Sequence, residues 1–236
     1  MIELVKATKT YHSGGDEVRA VDSVDLRVAA GEFVAVVGHS GSGKTTLVSL
    51  MGGLTRPTSG TVMVDGRDIW TMSNRELSRL RSDRIGFCFQ FSSLISTINC
   101  LDNVRLPASF LGDHKGDAGR AMRLLELVGL PEKAGAFPSE LSGGQQRRVA
   151  IARALVNEPG IILADEPTGD LDEETEEDVM DLFEEINLGG VTIVMVTHSS
   201  RLASRAGRTL RMENGAVVEE VTRAPRSEYP LSSDSV

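Results

Sequence analysis

The sequence predicts an α/β fold whose core is interrupted by a mostly helical insertion. Apolar, β-rich segments recur in the first 64 residues, and helical periodicity dominates from about residue 91 to residue 157. Buried-strand patterns then return at residues 161–164 and 191–197. The chain has 236 residues, a length that fits one domain with a substantial insertion better than two full domains.

Short strands and turns alternate in the predicted core. Four β-rich segments come first, at residues 2–5, 24–28, 33–37 and 61–64, and Asp65-Gly66 marks a turn after the fourth. Near the carboxyl end, residues 209–212 and 216–221 flank Asn214-Gly215, a pair typical of a two-residue hairpin turn. The Ser-, Pro- and Arg-rich residues 222–236 are expected to form a flexible tail.

The acidic charge is concentrated in one predicted helix. The net charge is −9, and between Asp172 and Glu185 the chain carries nine carboxylates and no Lys or Arg. We interpret these carboxylates as a solvated helix face, with a docking surface as the alternative. The stripe predicted to face the core consists of Val179, Leu182, Phe183 and Ile186. The rest of the chain is charge-balanced and shows no basic stripe, so no nucleic-acid partner is expected.

The cysteines, histidines and apolar runs argue against several classes of protein. Cys88 and Cys100 form no C-x-x-C pair and are expected to pack as thiols in a reducing compartment. The four histidines are scattered, so a metal site built from protein side chains alone is not expected. No signal peptide is predicted, and the longest apolar runs fall far short of the ~20 residues of a membrane-spanning helix. Any membrane association is therefore expected to come through a partner.

Residues 38–45 read G-H-S-G-S-G-K-T and match the phosphate-binding loop G-x-x-x-x-G-K-[ST]. An apolar strand leads into the loop and a helical pattern leads out of it, which is the context that this motif requires. Backbone N–H groups in such a loop turn toward phosphate oxygens at the start of a helix. Lys44 is expected to reach the β- and γ-phosphates, and the Thr45 hydroxyl is expected to bind Mg²⁺. The chain is thus predicted to bind a nucleoside triphosphate, the alternative being a plain glycine-rich turn.

The apolar strand at residues 161–164 ends in two carboxylates, Asp165 and Glu166. Side chains alternate along a strand, so the two carboxylates are expected to point to opposite sides and to do different work. We assign Asp165 to Mg²⁺ and Glu166 to the general base that activates the attacking water. Loss of such a base lowers the rate ~10²–10⁴-fold while binding stays largely intact.

Residues 141–145 read L-S-G-G-Q. Ser142 and Gln145 form an S-x-x-Q capping box that opens a helix. Gly143 and Gly144 leave backbone N–H groups accessible at that helix start, which makes a second anion site. A single bound nucleotide has only one γ-phosphate, so it does not explain two phosphate-binding helix ends in one chain.

These motifs together resemble the nucleotide-binding subunit of an ATP-binding cassette (ABC) transporter, in which L-S-G-G-Q is the signature. The resemblance covers residues 1–221. It implies a P-loop NTPase (RecA-like) core of ABC type, with an N-terminal antiparallel β subdomain and an inserted helical signature subdomain at about residues 91–157. It also implies hydrolysis of ATP with Mg²⁺. Two cassettes, expected to form a homodimer, would pack head to tail, with each ATP between one chain's phosphate loop and the other chain's signature.

The resemblance also gives roles to single residues. Tyr11 matches the aromatic that stacks on adenine, Gln90 the glutamine that contacts the Mg²⁺ region, and His198 the γ-phosphate sensor. Taken alone, Tyr11 reads as an ordinary aromatic, Gln90 as a strand-end polar residue and His198 as a capping histidine. The implied nucleotide-binding set is Tyr11, Gly38, His39, Ser40, Gly41, Ser42, Gly43, Lys44, Thr45, Thr46, Gln90, Ser142, Gly143, Gly144 and Gln145. The implied catalytic set is Lys44, Glu166 and His198, and the implied Mg²⁺ set is Thr45, Gln90 and Asp165.

Three features depart from the family's common pattern. His39 stands where a proline is frequent, but backbone donors do the binding there, so only rate or affinity is affected. Ser199 follows His198 where an aspartate is usual, which concerns a contact across the dimer. Residues 91–99 lack the usual Leu-Pro pairing, so contacts with a membrane partner are the least transferable part of the resemblance.

Within the ABC family, the resemblance is to the lipoprotein-release, macrolide-export and cell-division branch. It is carried by Tyr11-His12, by residues 52–60 and by the run L-A-D-E-P-T-G at residues 163–169. It implies an integral membrane permease as partner, a peripheral location on the cytoplasmic face of the inner membrane, and export or extrusion of a lipoprotein, peptide or drug. One alternative is a cargo-less mechanical regulator of a cell-envelope or division complex. Another is a soluble ABC ATPase that acts on nucleic acid or ribosomes.

Overall fold

The computed structural model describes residues 1–13, 16–90, 92–110 and 118–223, which form two sheets and seven α-helices. The strands are β1 (Ile2–Ser13), β2 (Asp16–Val28), β3 (Phe33–Val37), β4 (Ser59–Val64), β5 (Arg67–Asp68), β6 (Ile85–Cys88), β7 (Ile161–Asp165), β8 (Thr192–Val196), β9 (Arg208–Glu213) and β10 (Ala216–Thr222). The helices are α1 (Lys44–Met51), α2 (Asn74–Arg84), α3 (Cys100–Ser109), α4 (Ala118–Leu127), α5 (Gly143–Leu155), α6 (Glu173–Leu188) and α7 (Ser200–Ala203). Short 3₁₀ turns lie at Ile69–Thr71, Pro131–Lys133 and Pro138–Glu140.

The two sheets differ in strand direction. The first is antiparallel, with the order β2-β1-β4-β5. The second has the order β10-β9-β3-β8-β7-β6, and only the β9–β10 pair in it is antiparallel. Strand β3 lies inside this sheet between β8 and β9, so the loop after it starts in the middle of the sheet edge, where ligands of open α/β sheets bind.

Strands β3, β7 and β8 of the six-stranded sheet are buried on both faces, which is typical of parallel strands, whereas the edge strand β10 is mostly exposed. Phe33 and Ala35 face an apolar cluster shared with α3 to α7. Val34 and Val36 face a second cluster, shared with the antiparallel sheet and α1. The predicted α/β core with an inserted helical part is therefore confirmed, and packed elements cover both faces of β3.

The helical insertion starts later than its predicted beginning at residue 91. Residues 92–99 contain no helix, and the first helix begins at Cys100, where the Asn99 side chain accepts a hydrogen bond from the N–H of Asp102. The buried Asn103 amide holds the non-helical stretch in place, because it bonds to both the N–H and the carbonyl of Ile95. Of the polar loop predicted near residues 112–119, only the start of α4 at Ala118 falls within the described residues.

Two β-strands are much longer than their apolar centres predict. The segments predicted at residues 2–5 and 24–28 are parts of β1 and β2, which pair along 12 and 13 residues. Register shifts interrupt the pairing after Leu4 and after Ala7, and Lys6 between them has a φ of 46°. These irregularities break the simple alternation of apolar and polar residues, which is why the pattern reveals only the regular portions.

The acidic helix has the predicted buried stripe but is not simply solvated. Val179, Leu182, Phe183 and Ile186 are all buried against the core. On another side, Arg205 donates to Glu177, Asp181 and Glu184, and its own side chain is only 14% exposed. Arg201 adds pairs with Glu176 and Glu177. Because these arginines come from beyond α6, the charge pattern within the helix could not predict the network.

The carboxyl-terminal hairpin turns at Asn214 and Gly215, whose φ values of 49° and 83° are those of a two-residue primed turn. Strand β10 includes Thr222, and the N–H of Arg223 still donates to the carbonyl of Gly207. The remaining residues of the predicted tail, 224–236, lie outside the described residues. No helix within the described ranges is long and apolar enough to cross a membrane.

Candidate functional site

The phosphate-binding loop lies between β3 and α1, as its motif requires. Gly43 caps α1 with a φ of 102°, a backbone conformation that glycine adopts without strain. A Cβ at this position would lie 1.9 Å from the carbonyl oxygen of Ala20, so a side chain is also excluded by space. No side chain caps the first N–H groups of α1. They are therefore available to an anion.

A cleft of about 500 Å³ opens beside this loop. It brings together residues from both sheets and from the ends of β3, β6, β7 and β8. The residues that line it are Tyr11, Ala20, Ser40, Gly41, Gly43, Lys44, Thr45, Thr46, Gln90, Glu166 and His198. All of these except Ala20 belong to the sequence-predicted site, and Tyr11 is 43% exposed, so its ring can stack on a planar base.

Three loop residues of the predicted nucleotide-binding set do not line this cleft. The Ser42 side chain is fully buried, and the side chain of His39 is exposed and contacts the carbonyl oxygen of Ser40 through Nδ1 at 2.8 Å. A Cβ on Gly38 would lie 2.4 Å from the carbonyl oxygen of Met212. These residues shape the loop from outside the cleft.

Lys44 is the cation of the cleft, and its side chain is folded back over the loop. The ammonium group donates to the carbonyl oxygens of Gly38 at 2.8 Å and of His39 at 3.0 Å. Phosphate oxygens would compete for the same donors, and charge-assisted bonds to an anion are stronger than bonds to neutral carbonyls.

A carboxylate and a hydroxyl stand next to each other beside the cleft: Thr45 lines it, whereas Asp165, at the end of β7, does not. The Thr45 hydroxyl donates to Oδ1 of Asp165 at 3.2 Å. Burial raises the pKa of Asp165, while the bond from Thr45 acts in the opposite direction and the neighbouring Glu166 adds to the rise. A carboxylate destabilised by burial gains from a divalent cation, and these hard oxygen donors are those that Mg²⁺ prefers. The donor set therefore fits Mg²⁺, and Gln90 lines the same cleft.

Glu166 and His198 meet across the cleft. Nδ1 of His198 and Oε2 of Glu166 are 2.6 Å apart. Asp165 and Glu166 contact different residues, Thr45 and His198, but both of these line the same cleft, so the geometry is not the opposite-sided arrangement that strand alternation predicts. Glu166 lies beyond the end of β7 with a φ of 51°, and its N–H donates to the carbonyl of Val196. A left-handed turn therefore aims Glu166 toward His198.

The signature residues open α5 away from this cleft. The N–H of Gln145 donates to Oγ of Ser142 at 3.2 Å, and the N–H of Ser142 donates to Oε1 of Gln145 at 3.0 Å. This reciprocal pair is the predicted capping box. None of residues 142–145 lines the cleft. One chain thus presents two helix starts suited to phosphate, at two separate places.

Two arginines of α5 were not among the predicted site residues. Arg147 donates through Nη1 to the carbonyl of Phe89 at 2.7 Å, and Arg153 donates to the carbonyls of Ser92 and Ser93, both at 2.8 Å. Both therefore hold the segment around Gln90. For Arg153 the sequence signal was an arginine inside an otherwise apolar helical pattern, which indicates a buried donor that needs acceptors, whereas Arg147 follows two glutamines and carries no such signal.

A second cleft, of about 460 Å³, lies on the far side of this segment between α2, β6, α3 and α5. Large apolar side chains stand exposed around it: Leu54 at 45%, Phe89 at 43% and Phe110 at 76%. The rings of Phe87 and Phe89 are stacked with centroids 5.6 Å apart. An exposed apolar cluster of this kind marks an interaction surface.

Comparison with known proteins places the sequence and fold in a defined group. A profile of the ABC transporter family matches residues 21–169. The chain is 46% identical over 219 residues to an uncharacterized ABC transporter ATP-binding protein, YknY, of Bacillus subtilis, covering 92% of this chain and 95% of that protein. It is 45% identical over 222 residues to the lipoprotein-releasing system ATP-binding protein LolD of Geobacter metallireducens, covering 93% and 99%.

Longer relatives and a solved structure agree with this grouping. The macrolide export ATP-binding/permease protein MacB of Rhodospirillum rubrum is 42% identical over 235 residues, which are 99% of this chain but 36% of that protein. The chain therefore spans about a third of such relatives. The dimeric post-hydrolysis structure of the ATP-binding cassette MJ0796, bound to ADP and Pi, superposes with a TM-score of 0.88 at 40% identity, covering 95% of this chain and all of that one.

Proposed function

The chain belongs to the ABC transporter family as an ATP-hydrolysing subunit, and on that premise we propose that two copies close head to tail on two ATP molecules to drive a membrane permease. The observation that carries the proposal is the separation of two phosphate-binding helix starts. The α1 start lines the cleft, whereas the α5 start does not. A second copy supplies the missing half of each site. The dimeric form of the MJ0796 structure supports this arrangement.

The cleft residues divide the work of holding the nucleotide. Tyr11 stacks on the adenine, the N–H groups of the loop and of α1 receive the phosphates, and Lys44 neutralises the β- and γ-phosphates. Thr45, Asp165 and Gln90 would hold Mg²⁺, which would help to neutralise the charge of the phosphates. From the partner copy, the residues corresponding to 142–145 face the γ-phosphate.

Glu166 acts as the base for hydrolysis. It accepts a proton from a water whose oxygen attacks the γ-phosphorus, the bond from that phosphorus to the bridging oxygen breaks, and ADP and phosphate are the products. His198 contacts Glu166 at 2.6 Å and lines the cleft, which supports a role for it in sensing the γ-phosphate. Catalysis in this site is positioning and charge stabilisation.

The second cleft is where we place the permease. Its apolar rim lies beside Phe89, one residue before Gln90, and Arg153 anchors the carbonyls of Ser92 and Ser93 at its edge. Movement of α5 on closure would therefore reach a docked permease segment directly. The permease would hold the chain at the cytoplasmic face of the inner membrane.

We propose that the complex exports or extrudes a lipoprotein, peptide or drug. Relatives named for lipoprotein release and for macrolide export match over nearly the whole of this chain, which supports this class of cargo. The identity of the cargo is decided by the permease.

The decisive experiment uses a Glu166→Gln chain as bait, with ATP, in detergent extracts of the source cell. Loss of the base should slow hydrolysis ~10²–10⁴-fold, so that the closed pair persists and retains its partner. The matched control carries Lys44→Ala as well and should fail to bind ATP and to pair. We expect a membrane protein to co-purify with the first chain only. Normal turnover by the Glu166→Gln chain contradicts the role of the base, and capture of only ribosomal or nucleic-acid proteins contradicts the transport function.

A further inference from the structure

Arg147 is a buried cation in the second turn of α5. Its side chain belongs to a residue that is only 5% exposed, and its Nε has no hydrogen-bond partner among the described residues. Burial lowers the pKa of Arg147, yet an arginine guanidinium stays charged at neutral pH. Two main-chain carbonyls accept hydrogen bonds from Nη1 and Nη2, and the Asp170 carboxylate interacts with the guanidinium electrostatically.

Burying a charge whose hydrogen bonds go to neutral acceptors costs free energy. An apolar side chain of similar length would fill this space without the desolvation penalty. What an arginine adds at this position is a planar guanidinium that can donate to two carbonyls at once, a geometry that no other side chain offers.

The first carbonyl lies next to Gln90, one of the residues proposed to hold Mg²⁺. Nη1 of Arg147 donates at 2.7 Å to the carbonyl of Phe89, the residue directly before Gln90. Gln90 itself lines the cleft. The bond therefore fixes the backbone from which the Gln90 side chain extends.

The second carbonyl belongs to the turn that carries the base. Nη2 of Arg147 lies 3.4 Å from the carbonyl oxygen of Gly169, a longer and weaker bond. The N–H of Gly169 in turn donates to the carbonyl of Glu166 at 3.1 Å. Arg147 is thus linked, through one backbone turn, to the residue proposed to activate water.

Arg147 also belongs to the helix that starts at the signature. It lies five residues after Ser142, about 7.5 Å along a rigid helix at 1.5 Å per residue. One side chain therefore connects the signature, which serves the partner's ATP, to both loops that face the chain's own ATP. Any shift of α5 on pairing is passed to Gln90 and Glu166 together.

We propose that Arg147 is a positioning residue that couples the two phosphate sites of one chain, so that engagement of the signature aligns Gln90 and Glu166 for hydrolysis. This role rests on the proposed pairing of two copies. It predicts a loss in turnover without a loss in binding, because Arg147 is not among the residues that line the cleft.

The test compares Arg147→Met and Arg147→Lys with Arg120→Met in the full-length chain. Arg120 is the matched control, since it also caps main-chain carbonyls, those of Leu155 and Val156, from a partly buried position but touches neither Gln90 nor the turn at Gly169. Steady-state kcat and KM, ATP affinity measured with a fluorescent analogue, and urea unfolding are determined for each protein. ATP-dependent pairing is measured in a Glu166→Gln background.

We expect Arg147→Met to lower kcat by about 10- to 100-fold, as for a small misplacement of catalytic groups, with ATP affinity within about twofold. Arg147→Lys should recover little, because an ammonium cannot hold both carbonyls as a fork does. Arg120→Met should unfold at lower urea concentration with an ordinary kcat. An unchanged kcat in Arg147→Met, or equal losses in both variants that follow their stabilities, contradicts the coupling alone. Failure of the parent Glu166→Gln chain to pair with ATP contradicts the paired function and the coupling with it.

Discussion

Asp165 shows how a single residue can be placed against its own chemical preference. Its carboxyl group is buried beside Thr45 and Glu166, and burial raises its pKa above the ordinary 3.8. A carboxyl group whose folded pKa exceeds its unfolded pKa favours the fold while it is protonated at low pH, and that advantage is lost as the pH rises through the folded value. At pH 7 the ionised Asp165 therefore lowers the free energy of unfolding.

Replacing Asp165 with Asn should make the chain more stable and less active. An amide keeps the acceptor for the Thr45 hydroxyl but cannot ionise, so the midpoint of thermal unfolding at pH 7 in the absence of nucleotide should rise. Hydrolysis with Mg²⁺ should fall at least ~10²-fold, since the carboxylate ligand is lost. The difference in midpoint between variant and parent should shrink as the pH is lowered toward the raised pKa. A lower midpoint for Asp165→Asn at pH 7 would be evidence against this account.

Short motifs identified most residues of the cleft, because Lys44, Thr45, Asp165 and Glu166 are fixed by their place after strands. The different contacts of Asp165 and Glu166 do not follow from alternation within the strand, since Glu166 lies beyond β7 and has a positive φ. The role of Arg147 could not be predicted from the sequence, because its acceptors are main-chain atoms 58 and 22 residues away. Nothing in a local pattern indicates them.

At the scale of elements, the start of α5 packs directly on the start of α6. A Cβ on Gly144 would lie 2.3 Å from Cγ2 of Thr175. That methyl group cannot swing away, because the hydroxyl on the same carbon donates to Oδ2 of Asp172 at 2.8 Å. The close packing of the signature on the acidic helix therefore requires the missing side chain at Gly144 and the fixed rotamer of Thr175.

This packing predicts a paired effect of two small substitutions. Gly144→Ala should lower the free energy of unfolding by about 1–3 kcal/mol, as overpacking does, although alanine is otherwise favoured over glycine in a helix. Adding Thr175→Ser removes the methyl and keeps the bond to Asp172, so the double variant should regain at least the parent's stability. Urea unfolding of the parent, both single variants and the double variant measures the coupling. Equal losses in Gly144→Ala with and without Thr175→Ser are not compatible with this contact.

Elements with regular local patterns were predicted well, and those shaped by distant contacts were not. Helix α6 and the hairpin at Asn214 follow from spacing and turn residues alone. Helix α2 was missed, although Ser73 and Glu76 form a capping box visible in the sequence. Residues 92–99 could not be predicted, because bonds from Arg153 and Asn103 fix their course.

At the scale of the whole molecule, the two phosphate sites predict that one intact site can be assembled from two damaged chains. Lys44→Ala removes the lysine of the cleft but leaves the signature intact, and Ser142→Arg does the reverse. Each variant alone should be inactive, whereas a mixture should hydrolyse ATP, because a mixed pair contains one complete site. Mixing Lys44→Ala with a chain that carries both changes is the control and should stay inactive. Absence of activity in the first mixture, with both variants folded, argues against head-to-tail pairing.

Arg147 and Arg153 of α5 bind the loop at residues 89–93 through its main chain. The acceptors are the carbonyl groups of Phe89, Ser92 and Ser93, and every amino acid carries a carbonyl. The side chains of residues 89–93 can therefore be substituted without breaking the hydrogen bonds that attach this stretch to α5. Substitutions at this surface can therefore adapt the chain to a permease of a different shape. The hydrogen bonds from Arg147 and Arg153 to the main chain would stay the same.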